Sequence, residues 1–148
     1  MPSRPANRAA LLCLMILAAL PGAALAADVH TGERIEVSGP TDDDVYAVGV
    51  QIRIPGAVVG DVFGSGNRVI FTGSTAGSLN VLARHVEAGG QVGGSARLAG
   101  QSVEVSGNVA GDLLAAGQTV AVGPQGVVGR DLVLAGRQVR MEGRVNGR

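Results

Sequence analysis

The stretch Asp61-Val62-Phe63-Gly64-Ser65-Gly66-Asn67-Arg68-Val69-Ile70-Phe71-Thr72-Gly73 decides the fold, because its pattern recurs along most of the chain. The residue in the place of Asp61 is Asp44, Ser78, Ser95, Asp112 and Asp131 in the other cycles, with successive spacings of 17, 17, 17, 17 and 19. Five residues further on stand Gly49, Gly66, Ala83, Gly100, Gly117 and Gly136. Eight residues on stand Ile52, Val69, Val86, Val103, Val120 and Val139, and ten on stand Ile54, Phe71, Ala88, Val105, Val122 and Met141. A fixed period of tens of residues is the mark of a solenoid, in which each repeat buries its apolar face only against its neighbours.

Within a cycle the apolar residues alternate, which is strand rather than helix periodicity. Val62/Gly64 and Val69/Phe71 are two such pairs, and a third, shorter position is filled by Val58, Thr75, Val92, Val109, Val128 and Val145. Each cycle therefore predicts three short strands, with glycines at turns where a positive φ would be cheap. Gly32, Ile35, Val37 and Gly39 match Gly49, Ile52, Ile54 and Gly56, so the first coil begins near Asp28. The expectation is an all-β, right-handed, three-sided parallel β-helix of about seven coils. Left-handed hexapeptide solenoids repeat three equal units per coil, and these spacings are not equal. The two extra residues between Val122 and Asp131 predict bulged corners at Gly123–Gly126 and Gly129–Asp131, with Pro124 in a turn.

Residues 1–26 read differently. Arg4 and Arg8 precede an apolar run from Ala9 to Leu20, then Pro21-Gly22 and Ala24-Leu25-Ala26. These are the regions of a secretory signal peptide, a signal helix followed by a cleavage site after Ala26. Cys13 lies inside the apolar run, so residues 27–148 hold no cysteine and neither disulfides nor thiolate metal sites are available to them. Removing Arg4 and Arg8 from the twelve basic residues leaves ten, against twelve acidic ones. A net charge near −2 is no footprint for nucleic acid, which attracts a basic face.

Few constellations suggest chemistry. Asp44 and Asp61 would stack one coil apart, and stacked carboxylates are where a cation such as Ca²⁺ would sit. Ser78 and Ser95 interrupt that column, and Asp or Ser after glycine is also an ordinary turn former, so no metal site is assigned. Asp42-Asp43-Asp44 reads as a solvated corner. Gln51, Arg68, His85, Ser102, Thr119 and Gln138 form one outward polar column; Arg53, Glu87, Glu104 and Arg140 belong to a second, shared with Ile70 and Ala121. His30 and His85 fall on different columns without a second ligand. No catalytic or cofactor-binding residue is assigned: there is no nucleophile elbow or phosphate loop, and the turns are too short for a polysaccharide-cleaving groove.

The stretches Val58-Val59-Gly60-Asp61-Val62, Val109-Ala110-Gly111-Asp112-Leu113 and Val128-Gly129-Arg130-Asp131-Leu132, each followed by the alternating pairs, resemble the bactofilin domain, the polymer-forming cytoskeletal family of bacteria. The resemblance covers residues 27–148. It implies a right-handed three-sided β-helix that polymerises end to end without nucleotide. Bactofilins are typically cytosolic, whereas this chain carries an export signal. The expected role is therefore a non-enzymatic scaffold of the periplasm or cell envelope whose partner is another copy of itself, stacked head to tail, with peptidoglycan or the membrane as candidate external partners. The alternative is a monomeric, adhesin-like module that binds the cell wall or a surface.

Overall fold

The computed structural model describes residues 27–147. The predicted signal segment lies outside the described residues. Everything described is strand or turn, with no helix. Seven long strands, β1 (Ala27–Glu36), β2 (Asp44–Ile54), β4 (Val62–Phe71), β6 (Leu79–Ala88), β8 (Ala96–Val105), β10 (Leu113–Val122) and β12 (Leu132–Met141), pair in that order into one parallel sheet. Six two-residue strands form a second parallel sheet: β3 (Ala57–Val58), β5 (Ser74–Thr75), β7 (Gln91–Val92), β9 (Asn108–Val109), β11 (Val127–Val128) and β13 (Arg144–Val145). The architecture is a parallel β-solenoid of about seven coils.

The register is the one the repeat predicts: Ile52 lies beside Val69 and Ile54 beside Phe71. Upstream, Gly32 pairs with Gly49 and Ile35 with Ile52, so the first coil does begin where the partial match places it. At about 4.8 Å per coil the stack is about 30 Å long. Its core is a column of Val, Ile, Leu and Ala with one large aromatic, Phe71, and the side chains of Val45, Ile52, Val62, Val69, Leu79 and Val120 are wholly shielded from solvent. A fully buried aliphatic side chain of this kind stabilises by about 1.5–3 kcal/mol.

Two of the three predicted strands per coil prove to be one. In β2 the inward positions are Val45 and Ala47, then Ile52 and Ile54, so the inward side changes parity along an unbroken strand. The ladder survives the change by skipping a residue: Gly49 pairs with Gly66 and Gln51 with Arg68, leaving Val50 and Asn67 out. After Leu82 the ladder resumes only at His85, leaving out both Ala83 and Arg84.

The glycines are not there for positive φ. Among the described residues only Gly32 has one, at 158°. They are required because each coil lies on the backbone of the previous one. A Cβ on Gly66 would fall on the carbonyl oxygen of Gly49, and one on Gly73 on that of Gly56. The same holds for Gly90 over Gly73 and Gly107 over Gly90. The two extra residues of the last full coil both go into the turn Gly123–Gly126, closed by Gly126 N–H donating to the Gly123 carbonyl at 3.0 Å. The turn from Gly129 to Asp131 keeps the three-residue length of the earlier coils, so the second predicted bulge is absent because the first absorbs the whole insertion.

Gly73→Ala is expected to lower unfolding free energy by about 1–3 kcal/mol, since its obstacles are backbone atoms of Pro55 and Gly56 that cannot step aside. Gly39→Ala, with nothing within 4 Å of the added carbon, is the matched control and should unfold like the parent in a urea titration.

Candidate functional site

The recurring Asp/Ser column is half-buried from Asp44 to Asp112, exposed at Asp131, and internally engaged. Asp61 N–H donates to Asp44 Oδ1 at 2.7 Å, and Ser78 N–H to Asp61 Oδ1 at 2.7 Å. Ser95 N–H donates to Ser78 Oγ at 3.3 Å, Asp112 N–H to Ser95 Oγ at 3.1 Å, and Asp131 N–H to Asp112 Oδ1 at 3.1 Å. Each side chain from Asp44 to Asp112 thus receives the backbone donor of its own successor one coil on. That explains both residue types: Asp and Ser share only a short side chain ending in an acceptor.

It also explains the small residue before them. A Cβ on Gly60 would fall on Asp44 Oδ1, one on Gly77 on Asp61 Oδ1, and one on Gly111 would come within 2.7 Å of Ser95 Oγ. Where the glycine is replaced, by Arg130, the Asp112 bond is longer than those of Asp44 and Asp61, and Arg130 Nε stands 3.6 Å from Asp112 Oδ1. Asp44 and Asp61, the residues singled out for a cation, are therefore part of this ladder, with one oxygen of each committed to backbone. Asp44 belongs to it rather than to a freely solvated corner with Asp42 and Asp43. Among the described residues no cluster of three or more metal-ligating side chains occurs.

Thr75 is the one buried polar side chain among the described residues. Standing in the valine column of the short strands, it donates to the Gly60 carbonyl at 2.5 Å and accepts from Gly77 N–H at 3.2 Å. Its hydroxyl is a local tie between two turns.

In the second half of each long strand the positions between the core residues point outward as predicted, with Gln51, Arg68, His85, Thr119 and Gln138 exposed and Glu87 beside Glu104. The first half holds what the sequence reading missed. Tyr46 and Phe63 are register partners and their rings stack, with centroids 4.7 Å apart and planes 6° from parallel. On the same face Val48, Leu82, Leu114 and Val133 are exposed. Asn80 and Arg97 continue the aromatic column, with the Arg97 guanidinium donating to Asn80 Oδ1 at 3.5 Å. Apolar residues at out-of-phase positions in several cycles were the available signal.

The two ends of the stack differ. At the N-terminal coil, Asp28 lies in register with Val45 and His30 with Ala47, so polar residues occupy core columns. His30 Nε2, shielded from solvent, lies 3.0 Å from Asp28 Oδ2, close in distance but not aligned as a hydrogen bond. At the C-terminal coil the core columns emerge as apolar residues: Val139 and Met141 are exposed, and Leu132, Leu134 and Val145 are only partly covered. Strand β12 pairs with β10 alone among the described residues.

No family model, curated protein or solved structure matches the chain.

Asp61→Ala should cost about 1–2 kcal/mol, the loss of a partly buried acceptor beneath Ser78 N–H, whereas Asp61→Asn keeps an acceptor oxygen there and should lose well under half of that. Paired chemical denaturation curves measure the difference. Thr75→Val, which preserves volume but strands the Gly60 carbonyl and Gly77 N–H, is expected to cost a similar about 1–2 kcal/mol.

Proposed function

We propose that the chain is a non-enzymatic, exported, bactofilin-like scaffold of the bacterial cell envelope that self-associates end to end. In this reading the cross-section is three-sided and right-handed, the two halves of each long strand and the short strand forming the three walls; the parity change within β2 supports the first corner. The observation that carries the proposal is the C-terminal coil. Its strand β12 offers a row of backbone donors and acceptors without a strand partner among the described residues, beside the apolar residues Leu132, Leu134, Val139, Met141 and Val145. An open edge of this kind is a template for another strand, and a solenoid supplies one of matching register at its other end.

A head-to-tail joint that continues the repeat brings Val139 into register with Ile35 and Met141 with Val37; Ile35 and Val37 are already shielded within the first coil, so the apolar surface covered there is that of Val139 and Met141. It also places Leu132 against Asp28 and Leu134 against His30, where desolvation of the polar pair opposes the contact. The joint is thus favourable along one half of the strand and weakened along the other, which makes the association reversible and concentration-dependent. Heterologous contacts that repeat in this way build fibres rather than closed rings when the rotation does not close.

Sedimentation velocity and electron microscopy of the purified chain test the proposal. Assembly should rise with concentration, fall at least tenfold in apparent affinity with Met141→Lys, and strengthen about tenfold in the double variant Asp28→Val/His30→Ala. A chain that stays monomeric at all concentrations and salts removes the proposal, and an unaltered response in the double variant removes the head-to-tail joint.

A further inference from the structure

We infer that the opposite charges of the two end coils fix the polarity of the end joint. The first coil of one copy receives the last coil of another, with Glu33 facing Arg137 and Glu36 facing Arg140. This rests on the end-to-end association proposed for the chain and names the groups that decide which end meets which.

Charge is segregated along the stack. Divided at the Asp/Ser column, each of the five middle coils within residues 44–130 holds one acidic residue and one arginine, and is neutral. The first coil, residues 27–43, holds Asp28, Glu33, Glu36, Asp42 and Asp43 against Arg34 alone, a net charge of −4 with His30 neutral. The last coil, residues 131–147, holds Arg137, Arg140 and Arg144 against Asp131 and Glu142, a net charge of +1. Packing within the stack does not require this, because Glu33, Glu36, Arg137 and Arg140 are all exposed.

Register turns the two net charges into particular pairs. Glu36 lies beside Arg53 of its own copy, and Arg140 holds the same place in the last strand, beside Ala121. A joint that continues the repeat sets Arg140 one coil from Glu36, so that Glu36 stands between Arg53 and Arg140. Glu33 and Arg137 match in the same way. Gly32 pairs with Gly49 and Gly136 with Gly117, and Glu33 and Arg137 are the residues that the ladder skips directly after them. Elsewhere along the joint a charge meets a neutral residue: Arg34 faces Gln138, Glu142 faces Ser38, and Asp42 faces Asn146. No two like charges share a register position across it. Within its own copy Arg140 has only a loose partner, its Nε standing 3.8 Å from Glu142 Oε1 with both side chains exposed.

The other ways of joining ends lack these matches. Two first coils would bring −4 to −4, and two last coils +1 to +1. Opposed side chains one coil apart, about 4.8 Å, lie well inside the Debye length of about 8 Å at physiological salt. An exposed ion pair adds little affinity by itself. Across an interface, charge instead sets orientation and suppresses the wrong partner. Val139 and Met141 therefore supply the adhesion, and the charged pairs choose the end. With one joint permitted, every copy in an assembly points the same way.

Sedimentation velocity of the purified chain tests this by charge reversal. In Glu36→Arg alone, or Arg140→Glu alone, every head-to-tail joint sets like charges together, and apparent affinity should fall about fivefold. An equimolar mixture of the two variants restores an opposite pair at each alternating joint and should return to within about twofold of the parent. Glu33→Arg and Arg137→Glu should behave in the same way, and serve as a second pair if the first disturbs the fold. Glu87→Arg, the same change of net charge in mid-stack, should leave affinity unchanged. At about 1 M salt, where the Debye length is about 3 Å, the single variants should converge on the parent. Single variants that assemble like the parent, mixtures no better than their components, or an equal loss in Glu87→Arg overturn the inference while the end joint stands. A parent that assembles under no condition removes the joint itself, and the inference with it.

Discussion

Each coil of this protein lies on the backbone of the one before it, in register and in parallel, and that stacking constrains every residue choice. The hydrogen bonds of both sheets run along the stack, so no coil satisfies the backbone of its own strands. Residues in the same place of successive cycles must then share a column about 4.8 Å apart. Inside the stack this selects Val, Ile and Leu, which pack on their own kind. Where backbone approaches backbone at Gly66, Gly73 and Gly90, it forbids a Cβ because the carbonyl oxygen of the previous coil already occupies that space.

The Asp/Ser column follows from the same constraint. A turn leaves a donor that the sheets do not reach, and a short acceptor side chain one coil earlier is placed to receive it, as Asp44 does for Asp61 and Asp61 for Ser78. The glycine before each makes room for that oxygen. What looks in the sequence like a repeated acidic motif, suggestive of cation binding, is in the fold a repeated backbone cap. Its interruption by serine is then no interruption, since a hydroxyl accepts the same bond.

A stack satisfied by its neighbours is unsatisfied at its ends and indifferent to what its outer walls carry. Function in such a molecule has two places to reside. The ends differ, with Asp28 and His30 across the core columns at one and Leu132, Leu134, Val139 and Met141 emerging at the other. The walls differ as well. The second half of the long strands is a plain polar surface, while the first half exposes Leu82, Leu114 and Val133 beside the stacked Tyr46–Phe63 pair.

The sequence by itself determined the solenoid, its period, the inward columns and the first coil at Ile35 and Val37, because alternation and a 17-residue period are recorded in local order. Only the tertiary structure decided three further things. It showed that two of the three strands in each coil are one, since a ladder that skips Val50 and Asn67 looks in the sequence like a break. It showed that the glycines serve close approach rather than positive φ, since both demands select the same residue. It also gathered Tyr46, Phe63, Leu82 and Leu114 onto one face. The outward positions of a solenoid carry no packing demand from within, so their pattern is irregular along the chain and becomes a surface only when residues 17 apart are laid side by side.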